Sequence, residues 1–141
     1  MRRILFILHL LLLSSLMACF GAQTTEGTEF WATFLKNYNN HTGSTRMTLT
    51  LIVSSRENAI VTISNPNQYG SNITFNVRAG KQDSCLIPNS WAYIEEDKRV
   101  SNFGVKVTST KPIALYATNQ HSSGKYDATN VLPTTALMGE Y

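Results

Sequence analysis

The sequence predicts an all-β fold, an antiparallel β-sandwich that follows an N-terminal signal peptide. Three observations support this prediction. Apolar and polar residues alternate along six stretches of the chain, as they do in strands with one buried face. Turn residues separate these stretches at intervals of about 8–12 residues, which is typical of sandwiches and barrels. After the first 22 residues, no 3.6-residue period indicates a long helix.

Residues 1–22 have the parts of a secretory signal peptide. Arg2 and Arg3 supply a positive charge, an apolar run extends from Ile4 to Leu16, and small residues follow it. The apolar run is too short to span a membrane. We therefore expect an extracellular or cell-surface location, and one mature domain over residues 23–141.

Cys19 allows a second interpretation of this segment. The sequence Leu-Met-Ala-Cys at residues 16–19 approximates the pattern at which bacterial lipoprotein signals are cut and lipidated. Ordinary cleavage after Gly21 or near Ala22 is the competing interpretation. We expect a membrane contact only if Cys19 is lipidated, as in an outer-membrane lipoprotein. If Cys19 is removed, Cys85 remains as a single cysteine, and we expect it to pack as a small buried residue.

The strands are predicted, in chain order, from apolar side chains that share one face. These side chains are Phe30, Ala32 and Phe34; Met47, Leu49, Leu51 and Val53; Ala59, Val61 and Ile63; Ile73, Phe75, Val77 and Ala79; Val105 and Val107; and Ile113, Leu115 and Ala117. Ile52 interrupts the alternation, which indicates that the outer face of its strand is partly covered. Residues 91–98 are compatible with one short helical turn.

The turns are predicted from composition. Residues 55–58 form a loop of hairpin length between two strands, and residues 65–72 contain asparagine, proline and glycine. Residues 110–112, with the sequence Thr-Lys-Pro, are predicted to reverse the chain before the next strand. Residues 132–141 have the composition of the middle of a fold, so we expect that the chain is a fragment and that further domains follow it.

The charge of the chain argues against a nucleic-acid partner. Twelve basic and nine acidic residues give a net charge of +3. Loss of Arg2 and Arg3 with the signal leaves ten basic residues against nine acidic ones, a net charge of +1. The mature sequence also lacks the basic clusters that neutralise phosphates or attach proteins to anionic lipids.

Two blocks of the mature chain resemble a known family. Residues 25–34 have the sequence Thr-Glu-Gly-Thr-Glu-Phe-Trp-Ala-Thr-Phe and follow the signal directly. The second block begins with Val-Lys-Val-Thr-Ser-Thr-Lys-Pro-Ile-Ala-Leu-Tyr-Ala at residues 105–117 and ends with Asp-Ala-Thr-Asn-Val-Leu-Pro-Thr at residues 127–134. Together they resemble the N-terminal domain family named for the IgG Fc-binding protein, over most of the mature chain.

The resemblance implies a role in binding or adhesion rather than catalysis. Domains of this family stand at the start of large extracellular proteins, including mucus proteins and bacterial surface proteins. The resemblance therefore implies a β-rich fold, a secreted or cell-surface protein and further domains downstream. It does not imply IgG binding, because the family name reports the activity of one member, and it supplies no functional residue to carry over.

The titratable residues form no recognisable catalytic or metal-binding motif. His41 and His121 lie in sequences typical of solvated loops, without the spacing of metal ligands. The acids at residues 95–97 lack the alternating positions and the glycine of a calcium loop. The surroundings of Asp127 suit a turn cap as well as a chemical role. We expect no enzymatic activity, no cofactor and no bound metal.

Aromatic residues are better candidates for a binding surface. We expect Trp31 in the core, because it lies in a predicted strand and aromatic residues dominate sandwich cores. Trp91 and Tyr126 lie in loop-like sequence, and with His121 they form the predicted binding surface. The expected partner is an extracellular protein or a glycan.

Three functions remain open from the sequence. The first is a non-enzymatic extracellular module for binding or adhesion, which presents loops at residues 37–45 and 119–126. The second is a purely structural β-domain stacked on downstream modules. The third is a secreted carbohydrate-binding or carbohydrate-active domain, with Glu95, Glu96 and Asp127 as its acidic candidates.

Overall fold

The computed structural model describes residues 24–37, 47–67, 72–94 and 102–137. Several sequence-based predictions lie outside these residues: the signal peptide at residues 1–22, the lipidation site Cys19, His41, most of the loop at residues 37–45, and the acids at residues 95–97.

The described residues form nine strands, one short α-helix and one 3-10 helix. In chain order they are β1 Glu26–Ala32, β2 Phe34–Leu35, β3 Met47–Ser55, β4 Ala59–Ser64, β5 Asn72–Val77, β6 Lys81–Ile87, α1 Asn89–Ala92, β7 Tyr93–Ile94, β8 Val105–His121, β9 Tyr126–Val131 and the 3-10 helix Thr134–Ala136. Seven strands form one antiparallel, near-closed sheet, which confirms the predicted all-β class. Strands β2 and β7 form a separate parallel pair. Among these residues, no helix has both the length and the apolar character needed to cross a membrane.

Strand β8 runs through the middle of the sheet and corrects the prediction for residues 110–112. The chain does not reverse at Pro112, because β8 continues through it for 17 residues. The first part of β8 pairs with β4 and with most of β1, and the part from Ile113 onward pairs with β3, with β9 and with the start of β1. The register against β1 shifts between Gly27 and Glu29. Between these two pairings, β8 has the four residues 109–112 where β1 has only Thr28, so Pro112 lies in a bulge, where proline is tolerated.

Strands β3 and β4 lie along the same edge of β8, so residues 55–58 are not a hairpin loop. Both strands are antiparallel to β8, and neither pairs with the other. Strands β5 and β6 continue this arrangement, because they pair with β4 and β3 in one unbroken register. Gly80, which has a positive φ of 67°, donates from its N–H to the carbonyl of Ser55 at 2.8 Å. The strands therefore bend together at these connections, and the sheet folds over one core.

The predicted inward-facing residues form that core. The most deeply buried side chains are Phe30, Leu49, Leu51, Val53, Val61, Ile63, Val77, Val105, Val107, Ile113 and Leu115. Ile73 and Phe75 are partly buried against it, and Ile52 is partly covered on the outer face, as predicted. Ala79 is the exception, because β5 ends at Val77 and Ala79 is exposed in the following turn.

Candidate functional site

Trp31 lies on the outer face of β1, so the prediction that it belongs to the core is wrong. Its neighbours Phe30 and Ala32 take the inward positions of the strand, and Trp31 remains 50% exposed. The register places Trp31 opposite Lys106 of β8, whose Nζ lies 5.9 Å from the centre of the indole ring. Lys106 also forms an ion pair with Glu29 at 2.8 Å. Lys106 therefore connects Glu29 and the indole ring of Trp31 on the outer face of the sheet.

A shallow groove adjoins Trp31, and we call it the aromatic groove. Its first part has a volume of about 300 Å³ and its second part about 230 Å³, and three residues line both parts. Phe103 is one of the shared residues and is 46% exposed. The complete lining is Trp31, Asn65, Pro66, Asn67, Ser90, Trp91, Asn102, Phe103 and Gly104. Two exposed aromatic rings therefore face a continuous surface that also carries three asparagines.

Hydrogen bonds hold the walls of the aromatic groove together. The hydroxyl of Thr33 lies 3.0 Å from the carbonyl oxygen of Phe103 and 3.1 Å from that of Ala92, so it can donate to either. The backbone N–H of Asn67 donates to Oδ1 of the buried Asn65 at 2.9 Å, which closes an Asx turn. The side-chain amide of Asn67 donates to the carbonyl of Asn102. These contacts position the lining without using the exposed ring faces.

The residues that the sequence suggested for binding differ in their exposure. Trp91 lines the aromatic groove, but it is 6% exposed and packs mainly in the core. The turn of helix α1 that carries Trp91 agrees with the predicted helical turn only in part, because it begins earlier, at Asn89. Tyr126 is 71% exposed, and its hydroxyl accepts a hydrogen bond from Nε2 of Gln120 at 2.9 Å. Of the three predicted binding residues, Trp91, His121 and Tyr126, only Tyr126 exposes most of its surface to a partner.

His121 is not the solvated loop residue that its sequence predicted. It is the last residue of β8, pairs with Met47 of β3 and is 3% exposed. Its Nδ1 lies 2.7 Å from Oγ of Ser123, and its backbone N–H donates to the carbonyl of Lys125 at 2.8 Å. The strand extends this far because the neighbouring strand β3 supplies partners up to Met47. Strands β8 and β9 form a hairpin, and its projecting loop is therefore residues 122–125.

Cys85 is a free cysteine on β6, half-buried against the core. Burial raises the pKa of its thiol above the ordinary value of 9.0, and the neighbouring carboxylate of Asp83 raises it further. The thiolate is therefore disfavoured, which suits a packing role better than a reactive one.

The aromatic groove offers flat rings for stacking and amide groups for hydrogen bonding. Its described lining consists of aromatic rings, asparagine amides, one hydroxyl, proline and glycine. Within the described residues, no group of three or more His, Cys, Asp or Glu side chains is placed to hold a metal ion. Asparagine amides both donate and accept hydrogen bonds, and aromatic rings present large flat apolar faces.

Sequence reasoning missed two main residues of this groove. The alternation that placed Phe30, Ala32 and Phe34 on one face also places Trp31 on the opposite face, so the signal was present. Phe103 gave no such signal, because it precedes β8 and no strand pattern includes it. Its position beside Trp31 depends on the pairing of β1 with β8.

Comparison with known proteins finds no matching family model, no matching curated protein and no matching solved structure. The fold and the site define an all-β domain that carries an exposed aromatic groove. Membership of the family named for the IgG Fc-binding protein therefore stays a prediction.

Proposed function

We propose that this chain is a non-enzymatic extracellular binding module of the adhesion type, part of a larger secreted or cell-surface protein, and that the aromatic groove contacts its partner. One observation carries the proposal: Trp31 and Phe103 leave about half of their surface exposed in one groove and are not part of the buried core. Exposed aromatic residues that gather at a concave surface are typical of contact sites.

The composition of the aromatic groove favours a glycan as the partner. A sugar ring has an apolar face of C–H groups that can stack on an indole or a phenyl ring. Its hydroxyl groups both donate and accept hydrogen bonds, as do the side chains of Asn67 and Asn102. We therefore propose a glycan, free or attached to an extracellular glycoprotein, as the ligand of this groove.

The non-enzymatic part of the proposal is supported by the kind of side chain that lines the groove. General acid–base catalysis needs a titratable group within hydrogen-bond reach of the reacting atoms. The side chains described in the aromatic groove are neutral, and they suit a ligand that is held rather than converted.

The family resemblance supports a module of this kind. Its first block contains β1, and its second block contains most of β8, so the two blocks pair with each other in the sheet. Most residues in these blocks can therefore be explained by strand pairing and core packing. Trp31 belongs to the first block and is exposed, so it is the residue of that block for which we propose a binding role.

A structural β-domain stacked on downstream modules is the second candidate function. The observation that favours it is a pair of exposed apolar residues after β9: Leu132 is 44% exposed and Leu137 is 42% exposed. A stacked domain would bury such residues against its neighbour. This role needs no ligand in the aromatic groove, so the two functions are separable by experiment.

A glycan array tests the proposal. Fluorescently labelled wild-type protein should bind one set of related glycans, and both Trp31→Ala and Phe103→Ala should weaken binding to them at least tenfold. Tyr116→Ala is the matched control, because Tyr116 is an outward-facing aromatic residue of β8, 44% exposed, that does not line the groove. Thermal unfolding should show that all three variants are folded.

Two outcomes would contradict the glycan-binding proposal. One is an array on which the wild-type protein binds no glycan. The other is a glycan signal that Tyr116→Ala reduces as much as Trp31→Ala does, because the contact would then lie outside the aromatic groove.

A further inference from the structure

A second cleft lies on the inner face of the sheet between β2 and β9, and the proposed function does not use it. We call it the β2–β9 cleft. It has a volume of about 380 Å³, within the usual size of small-ligand sites. Strand β9 leaves it open, because Tyr126 to Asn130 are exposed on both faces of the strand. The lining residues are Thr33, Phe34, Leu35, Ala117, Asn119, Asp127, Ala128 and Thr129.

Asn119 gives this cleft a buried acceptor. The residue is only 5% exposed and lies on the inward face of β8. Its side-chain amide donates to the carbonyl of Leu35, and its own backbone carbonyl accepts a hydrogen bond from Nδ2 of Asn37 at 2.9 Å. Its Oδ1 is buried and accepts no hydrogen bond from any group that the structure describes. Buried polar atoms are normally paired, so this oxygen calls for a donor.

Asn37 carries a second buried acceptor beside Asn119, although it does not line the cleft. Its Oδ1 is also buried without a hydrogen-bond donor among the described groups. Because Nδ2 of Asn37 is bonded to the backbone of Asn119, the two side chains belong to one local cluster. The Oδ1 of Asn119, which lines the cleft, would be satisfied by a guest that supplies a hydrogen-bond donor.

Asp127 makes the β2–β9 cleft electronegative. It lies directly opposite Asn119 in the pairing of β8 with β9, which puts the two side chains on one face, with Cβ atoms about 5 Å apart. Among the described lining residues, Asp127 is acidic and none is basic. Phe34, Leu35 and Ala117 supply an apolar wall beside these polar groups. The cleft thus combines negative charge, an unpaired acceptor and apolar surface.

We propose that the β2–β9 cleft binds a primary ammonium group carried on an apolar stem. An ammonium group has three donors and no acceptor, so it can pair with Oδ1 of Asn119 and with the carboxylate of Asp127. Its stem would pack against Phe34 and Leu35, as lysine stems do on apolar surfaces. A lysine side chain of a partner protein has this chemistry, whereas an amino sugar carries its ammonium group on a hydroxylated ring without an apolar stem. A calcium ion is less suited, because it takes six to eight oxygen ligands.

Two-dimensional ¹H–¹⁵N NMR titration of the purified chain tests this proposal. The probes are Nα-acetyl-lysine N-methylamide, glucosamine, the uncharged Nα-acetyl-norleucine N-methylamide and calcium chloride. We expect the lysine probe to shift the amide signals of residues 117–119 and 127–129, and to bind more strongly than glucosamine, whose ammonium group lacks an apolar stem. The norleucine compound should leave these signals in place.

Two variants make the test specific. Asp127→Asn removes the charge at an exposed position, so the fold is kept, and we expect the dissociation constant of the ammonium probe to rise at least tenfold. Asp83→Asn is the control, because Asp83 is an exposed acid on β6 that does not line the cleft, and it should bind as the wild type does. Equal binding of the norleucine compound, shifts caused by calcium in place of the ammonium probes, or an unchanged constant in Asp127→Asn would overturn the proposal. These results leave the proposal for the aromatic groove untouched, because neither Asp127 nor Asp83 lines that groove.

Discussion

The near-closure of the sheet leads to a prediction about Gly27. A single bridge between Phe30 and Pro133 brings the chain after β9 back to β1. The side chain of Pro133 is fully buried and lies where a Cβ at position 27 would be, closer than two carbon atoms approach each other. Glycine is therefore needed at position 27 because of a close approach. We expect Gly27→Ala to destabilise the fold.

The size of this effect follows from two opposing contributions. Forcing a methyl group into a packed region costs about 1–3 kcal/mol. Replacing glycine by alanine also restricts the unfolded chain, which stabilises the fold by about 0.4–1 kcal/mol. Gly104→Ala is the matched control, since a Cβ there would meet only the carbonyl oxygen of Ala32, at an ordinary 3.6 Å. The difference between the two variants isolates the clash, and we expect about 1–3 kcal/mol.

Urea unfolding followed by tryptophan fluorescence measures this difference directly. At about 4 °C per kcal/mol for a domain of this size, the melting temperatures of the two variants should also differ by about 4–12 °C. If Gly27→Ala were as stable as Gly104→Ala, Pro133 would not pack on β1. The chain after β9 would then not return to close the sheet.

Two further predictions concern the core and the thiol. Leu115→Ala should destabilise the protein by about 2–5 kcal/mol because Leu115 is fully buried, whereas Tyr116→Ala on the outer face should cost much less. Urea unfolding measures both losses of stability, and equal losses would contradict the assignment of Leu115 to the inner face and Tyr116 to the outer face. The raised pKa of Cys85 predicts slower alkylation by iodoacetamide at pH 8 than for a thiol of pKa 9.0, and faster alkylation after Asp83→Asn. Because the folded state holds the thiol proton of Cys85 more tightly than the unfolded state, its contribution to the stability of the fold is present below pH 9. This contribution is lost as the pH rises through the pKa of the folded state. A wild-type alkylation rate at or above that of the free thiol would contradict the burial of Cys85.

Local alternation was enough to predict which side chains form the core. Each strand that contributes to the core has one buried face, and a period of two along the sequence reports that face without knowledge of the partner strand. For this reason the inward residues of β3, β4 and β8 were predicted correctly. The partly covered outer position of Ile52 followed from the same pattern.

The connections between the strands were not predictable from composition. Residues 55–58 and 110–112 have turn-forming residues, and composition alone does not distinguish a reversal from a bend within a continuing strand. The difference depends on the neighbouring chain: β3 and β4 both have β8 as their partner, so the connection between them needs only to bend. Pro112 is accommodated in β8 because it lies in a bulge, where no partner strand needs the N–H group that proline lacks.

The candidate sites depend on contacts that are distant in sequence. Phe103 reaches Trp31 only because β1 pairs with the start of β8, and Asn119 meets Leu35 only because β2 lies against the end of β8. Asp127 was considered from the sequence as a turn cap or a catalytic acid. Its position opposite Asn119 is the result of the register between β8 and β9. Pairings of this kind have no signature in a single sequence.

Equilibrium binding measurements show whether the aromatic groove is the contact site of this domain. The glycan that binds best on the array should be titrated into wild-type protein, Trp31→Ala, Trp31→Phe and the control Tyr116→Ala, with the dissociation constant measured by calorimetry. Loss of the stacking face should raise the constant at least tenfold in Trp31→Ala, a change of about 1.4 kcal/mol. Trp31→Phe should fall between this variant and the wild type, and Tyr116→Ala should match the wild type. An unchanged constant in Trp31→Ala would contradict the assignment of the aromatic groove as the binding site.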